Sequence, residues 1–370
     1  MLLSASAISC RGPEHGAPAA ADAAPGPQRG ADAAETDCAW FGSARGGTLW
    51  FGVSAFWSAM RRTGGDPGAD LATPGGIWLG RHDLGQGRTS FERLGRGPGG
   101  TWDVFAHPNG RVYLTTFFDV AGVRHRDGRF ERLGPRTRGL AELAPGPAGR
   151  ILASRYGSAN GAPGAVVVLG EDGRVQAEFP LAAPPGMRAA AKSLAWDPLR
   201  GEIWVNTDLV PEAPDAAVRH DTRVLSAGGR ERFRFVAPEV QFMTFGPDGT
   251  GYFAEVDRER LRLRIRPPEA AVRALAVGRW IALDDDFPSG TDFVQELTVD
   301  GAGRVVVTRW SGRVHVVDAD GRVRSLDFPR AEGDLYYTGV LDRGRVCATT
   351  CRTAPEPVPA AWVRCLDLPD

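Results

Sequence analysis

The side chains of this chain that could do chemistry fall into columns that recur along it. Asp103, Glu142, Ser193 and Glu296 each stand near the start of a short run rich in apolar residues, and Thr116, Arg155, Thr207, Glu255 and Arg309 close the run that follows. A neighbouring column reads Trp102, Lys192, Gln241, Gln295 and Tyr336. Carboxylates, guanidinium groups and an ammonium facing one space can hold a small polar ligand, or they can neutralise one another as an ion-paired plug. The elements that carry them decide between the two.

Familiar catalytic signatures are absent. There is no Gly-x-Ser-x-Gly elbow, no phosphate-binding loop and no His-Glu-x-x-His. The histidines (His15, His82, His107, His125, His220 and His315) are scattered, and none pairs at metal-ligand spacing. Asp284, Asp285 and Asp286 form a local acidic run that reads as a solvated loop. A formal net charge of −1 gives no electrostatic case for nucleic acid or an anionic membrane surface. No run of about 20 apolar residues is present to span a bilayer. Arginine replaces lysine everywhere except at Lys192, a bias that a GC-rich genome produces.

The columns sit on repeated hairpins. Aligned on their turn glycine, seven copies fall at 38–54, 102–116, 141–155, 192–207, 241–255, 295–309 and 336–350, about 40–60 residues apart. The most regular unit, 295–329, reads QELTVDGAGRVVVTRWSGRVHVVDADGRVRSLDFP: four β-rich runs separated by Gly, Asp and Ser turns. No stretch holds a 3.6-residue period over a helix length. Four short strands per copy at this period predict an all-β protein, a β-propeller of seven blades with six as the alternative, each blade of four antiparallel strands. The last copy lacks a fourth strand, which residues 2–9 could supply. Segments 58–75, 158–164, 210–220 and 279–292 read as insertions, several of them on one face of the disc.

The unit 295–329, with QFMTFGPDGTGYFAEVD and KSLAWDPLRGEIWVNTD, resembles the NHL-type and gluconolactonase-like (senescence-marker-protein) propellers over most of 100–330. In lactonase-like members an axial divalent metal such as Ca²⁺ is held by Glu, Asn and Asp. The resemblance places Gln241 and Glu255 where the family has Asn and Asp. The starting column holds no carboxylate and includes Lys192, so the expected reading is no metal cofactor, with Gln241 and Glu255 as the alternative ligand pair. The expected site is a polar axial channel formed by Trp102, Asp103, Glu142, Arg155, Lys192, Gln241, Glu255, Gln295, Glu296, Arg309 and Tyr336. Its expected function is non-catalytic binding of a small polar molecule or a protein partner of the cell envelope. The alternative is a gluconolactonase-like hydrolase with an altered axial site.

Residues 1–10 end in Ala-Ile-Ser-Cys, which resembles a bacterial lipobox with Cys10 as the lipidated residue. Residues 11–36, rich in Ala, Pro and Gly, read as a flexible tether, and 37–370 as the propeller domain. Cys38, Cys347, Cys351 and Cys365 suggest disulfides in an exported protein, Cys347 with Cys365 and Cys38 with Cys351. The expected location is the cell envelope, lipid-anchored or periplasmic or extracellular, with the cytoplasm as the alternative. A monomer touching the membrane only through its lipid is expected. Replacing Cys10 with alanine should then release the protein from membranes in a fractionation experiment, and unchanged membrane association would contradict the anchor.

Overall fold

The computed structural model describes residues 38–54, 75–97, 100–116, 119–157, 163–213, 216–236, 239–269, 278–288, 291–330, 334–352 and 362–369. Its turns follow from their residues. The Asp300 carboxylate accepts the N–H groups of Ala302 and Arg304, both at 2.9 Å, and Gly303 takes a φ of 76° that a side chain would strain. Asp127, Asp172, Asp248 and Asp320 cap their own turns the same way. These Asx turns send each strand back antiparallel to the one before.

The result is a β-propeller. Five separate four-stranded antiparallel sheets span 104–132, 140–180, 187–235, 239–284 and 294–327, each pairing its strands in chain order. The strands Cys38–Arg45, Thr48–Ser54, Gly75–Asp83 and Arg88–Gly97 join Asp334–Asp342, Arg345–Arg352 and Val363–Asp367 in one seven-stranded sheet, through the pairing of Cys38 with Cys351. The innermost strands of successive sheets touch in order, and Asp334–Asp342 touches Cys38–Arg45, so the ring closes.

Each sheet is covered on both faces by its neighbours, which explains why middle strands such as Ala165–Leu169 and Val305–Arg309 are buried throughout. Outer strands such as Glu231–Phe235 are only partly covered. Every interface has its own core. Trp204 and Val224 meet Met243 and Phe253 across one, and Val306 and Val316 meet Tyr336 and Ala348 across another.

One expectation changes. The segment 279–292 is not simply an insertion, because Arg279–Asp284 is the fourth strand of its sheet. The sheet over 104–132 completes itself with the short strands Gly122–Arg124 and Phe130–Arg132, which have little apolar patterning to betray them. Residues 2–9, Cys10 and the 11–36 segment lie outside the described residues.

The ends of the folded part are fastened by two disulfides, Cys38–Cys351 and Cys347–Cys365, in the expected pairing. Thr349 adds a hydroxyl stitch, accepting the Thr338 N–H at 3.0 Å and donating to the Trp40 carbonyl at 2.8 Å. The bridges span 313 and 18 residues. In the loop-entropy account the longer is worth roughly 5–6 kcal/mol and the shorter roughly 3. Replacing Cys38 and Cys351 with serine should therefore destabilise the oxidised protein by roughly 2–3 kcal/mol more than replacing Cys347 and Cys365, measured by urea unfolding. Equal losses would show that the long bridge does not hold the ring closed.

Candidate functional site

Six innermost strands lose register at the same height. The slips fall between Ala39 and Gly42, opposite Ala153 to Arg155, between Ala191 and Leu194, Val240 and Phe242, Val294 and Glu296, and Tyr336 and Gly339. In the 104–132 sheet the same irregularity is drawn by Thr115, whose backbone bonds both Trp102 and Asp103. A bulge breaks the two-residue alternation and re-aims side chains. The irregular positions include most of the columns read from the sequence, Trp102, Lys192, Gln241 and Gln295 with Asp103, Glu142 and Ser193, and add Trp40; Glu296, paired with Thr308, directly follows its bulge.

Small hydroxyl residues on the second strands support these bulges. Thr115 accepts the Asp103 N–H at 3.2 Å and donates to the Ala141 carbonyl at 2.5 Å; Ser154 accepts the Glu142 N–H at 3.0 Å. Gly52 stands opposite the first bulge, where a Cβ would lie 2.5 Å from the Trp102 carbonyl oxygen.

Asp103, Glu142 and Glu296 come from three sheets, and Glu142 feels the charge of both others, so they converge across the axis. Burial pushes the Asp103 carboxyl up to about 7, against the pull of the Leu143 and Val104 N–H groups it accepts, both at 2.6 Å. Burial, then Asp103, raises Glu142 well above the carboxylate range, with Lys192 opposing. Glu296 is raised by burial, although Thr338 donates to it. Beside them, Trp40 lies 4.4 Å from Trp102 and 4.8 Å from Tyr337, ring centre to ring centre. The axis thus brings together an aromatic cluster and a carboxyl cluster.

Lys192 belongs to a pocket at the inner end of the 187–235 sheet, with Thr207, Asp208, His220, Phe235 and Glu239. His220 bonds Asp208 through Nδ1 at 2.8 Å, and the Tyr156 hydroxyl donates to the other Asp208 oxygen at 3.0 Å. Burial would raise Asp208, but the His220 bond and the Lys192 charge prevail and hold it low. The same bond raises His220, and burial raises Tyr156. Among the described residues Lys192 has no hydrogen bond or ion pair, and the buried Thr207 hydroxyl has no partner.

Other expected channel residues are committed elsewhere. Arg155 pairs with Glu178 and donates to the Arg136 carbonyl at 2.7 Å. Arg309 pairs with Asp292 at 2.6 Å and with Asp284. Tyr336 does not line the channel: it is buried between sheets, stacked on Phe328 and donating to the Pro329 carbonyl at 2.7 Å. The bulge turns the next residue, Tyr337, toward Trp40 instead. Gln295 sits in its bulge, half-buried.

The divalent cation implied by the lactonase resemblance does not fit Gln241 and Glu255. Both Glu255 oxygens are held by Arg264, one of them also 3.3 Å from Arg262 Nε, and the Gln241 amide donates to Glu239 at 2.6 Å. A carboxylate neutralised by two guanidinium groups has little left for a hard cation. Among the described residues the one tight trio of His, Cys or acidic donors is His82, Cys347 and Cys365, whose cysteines are joined in a disulfide.

Asp208, His220 and Tyr156 were not legible as site residues. Asp208 closes the motif KSLAWDPLRGEIWVNTD, and His220 ends a segment that reads as an insertion. The strands Glu202–Pro211 and Arg219–Ser226 run past the usual hairpin length and set the two side by side, Asp208 opposite His220.

No protein-family model and no curated protein matches the sequence. Solved structures do. A virginiamycin B lyase from Staphylococcus aureus aligns with a TM-score of 0.56 at 10% identity, over 86% of this chain and 92% of its own. Its catalytically inactive variant with quinupristin gives 0.54 at 12%, over 85% and 92%. A gluconolactonase from Xanthomonas campestris aligns more loosely, at 0.45 and 16%, over 70% and 83%. At these identities the likeness is one of fold, and the propeller is what it establishes.

Raised carboxyls leave a thermodynamic mark. Asp103, Glu142 and Glu296 keep protons in the folded protein that the unfolded chain has released, so their stabilisation is complete below about pH 4 and is lost as pH rises through about 7 for Asp103. Unfolding free energy should fall between pH 5 and pH 8, and Asp103→Asn should remove roughly 2–4 kcal/mol of that fall. Denaturant titrations at several pH values test this; an equal fall in the variant would mean that Asp103 ionises normally.

Proposed function

We propose that this chain is an exported seven-bladed β-propeller that binds a small polar molecule in the pocket around Lys192, without transforming it. The count of seven takes the seven-stranded sheet as two blades, one of four strands and one of three, joined at Cys38–Cys351. Two disulfides support export, since such bonds persist in oxidising compartments. Anchorage through Cys10 belongs to the same reading.

One observation carries the binding role. The chain's only lysine stands at the channel with an uncommitted ammonium, beside a buried hydroxyl, Thr207, that also lacks a partner. Buried polar groups are nearly always satisfied, and an exception in a pocket marks a place for a ligand. A protein partner is less well supported, because among the described residues the exposed large apolar ones are Leu199, Val236 and Trp280, too few for a contiguous apolar patch.

Catalysis at the same pocket is the second reading, favoured by the Asp208–His220 pair. An imidazole held by a carboxylate is a general acid and base unit. The Staphylococcus aureus lyase of like fold is described as catalytically inactive when one histidine is changed to alanine.

A thermal-shift screen of small polar molecules tests the binding role on the wild type, Lys192→Met and Thr207→Val. Ligands that stabilise the wild type should lose most of their shift in both variants; a ligand at 100 times its Kd adds about 2.7 kcal/mol to a competent site. Hits that stabilise all three proteins equally would place the binding site elsewhere.

A further inference from the structure

The donors and acceptors around Lys192 do not balance. Both Asp208 oxygens are taken, by His220 and Tyr156. Asp221 is bound by Arg223 through two bonds, at 2.9 and 3.1 Å. Asn206 donates to Ser193 and accepts from Thr222, both at 2.9 Å. What remains is mostly donors: the Lys192 ammonium, His220 Nε2 and the Thr207 hydroxyl. The bond from His220 Nδ1 to Asp208 raises the His220 pKa and so favours the doubly protonated ring, in which Nε2 is a donor. Glu142, near Lys192, keeps its proton well above the carboxylate range and so does not cancel the ammonium.

One acceptor of the lining is unspent as well. Glu239 has one oxygen bonded by the Gln241 amide and the other without a hydrogen bond. A ligand matching this set brings anionic oxygens to one end and hydroxyl donors to the other. Phe235 and Val240 give the pocket an apolar wall.

We infer that the pocket is built for a small hydroxycarboxylate, with its carboxylate between Lys192 Nζ and His220 Nε2 and its hydroxyl groups toward Glu239. This rests on the Lys192 pocket being the ligand site. A charged hydrogen bond from an ammonium or imidazolium is about twice as strong as a neutral one, so removing the carboxylate should cost the most affinity.

Because Lys192 is the only lysine, protein labelled with ¹³C at lysine Cε gives one resonance that reports the pocket alone. The probes are L-tartrate and L-threitol, which share a carbon skeleton and differ in carboxylate against alcohol ends, titrated at constant ionic strength and pH 7. Tartrate should shift the Lys192 resonance saturably, at least tenfold more tightly than threitol, and His220→Gln should weaken tartrate about tenfold while leaving threitol unchanged. Equal response to both probes would overturn the carboxylate assignment while leaving the pocket as a polar site. Response to inorganic phosphate but not to tartrate would also overturn it. Saturation by none of them would overturn the assignment and the Lys192 pocket together.

Discussion

A bulge at one height in the innermost strands is the constraint from which the rest of this structure follows. A regular strand would send alternate side chains to the two faces of its sheet, where neighbouring sheets bury them. The slip at 192–193, and its counterparts around the ring, frees side chains from that alternation. Backbone polar groups left by the slip need partners, and Thr115, Ser154 and Thr349 provide them with short hydroxyl side chains. Thr115 also reaches the next sheet and Thr349 ties the two ends of the chain together within theirs, so the device that opens the axis helps to fasten the ring.

What fills the axis is unevenly distributed. Trp40 packs against Trp102 and Tyr337, and Asp103, Glu142 and Glu296 form a second cluster, where desolvation favours their neutral forms. The strong cations that could have neutralised them are spent in their own sheets: Arg155 on Glu178, Arg264 on Glu255, Arg309 on Asp292. Lys192 is the exception. Its ammonium stays uncommitted because burial raises the Glu142 carboxyl well above the carboxylate range, which favours its neutral form, and Asp208 already holds His220 and Tyr156. The channel is therefore not a plug of mutually cancelling charges.

Much of the fold was legible in the sequence, because turn chemistry and β-branched runs are local. Asp300 to Gly303 names its own turn, and Val305 to Val307 names a doubly covered strand. The cysteine pairing followed from which strands had to be neighbours. The site was legible only in part. Asp103, Glu142 and Lys192 could be placed by column, but a one-residue slip decides whether Tyr336 or Tyr337 turns inward, and no residue type announces it. Arg155, Glu255 and Arg309 looked like channel groups because their partners, Glu178, Arg264 and Asp292, lie 9 to 23 residues away. Asp208 and His220 are joined only by the extra length of two paired strands.

The central claim is that Lys192 is kept free for something other than the protein. A crystal structure that resolves its side chain and the surrounding solvent tests this most directly. The account predicts Nζ bonded to water or to a small molecule and more than about 4 Å from every carboxylate oxygen, the limit of an ion pair. A direct Lys192–Glu142 or Lys192–Asp208 salt bridge would contradict it and make the channel a self-paired plug.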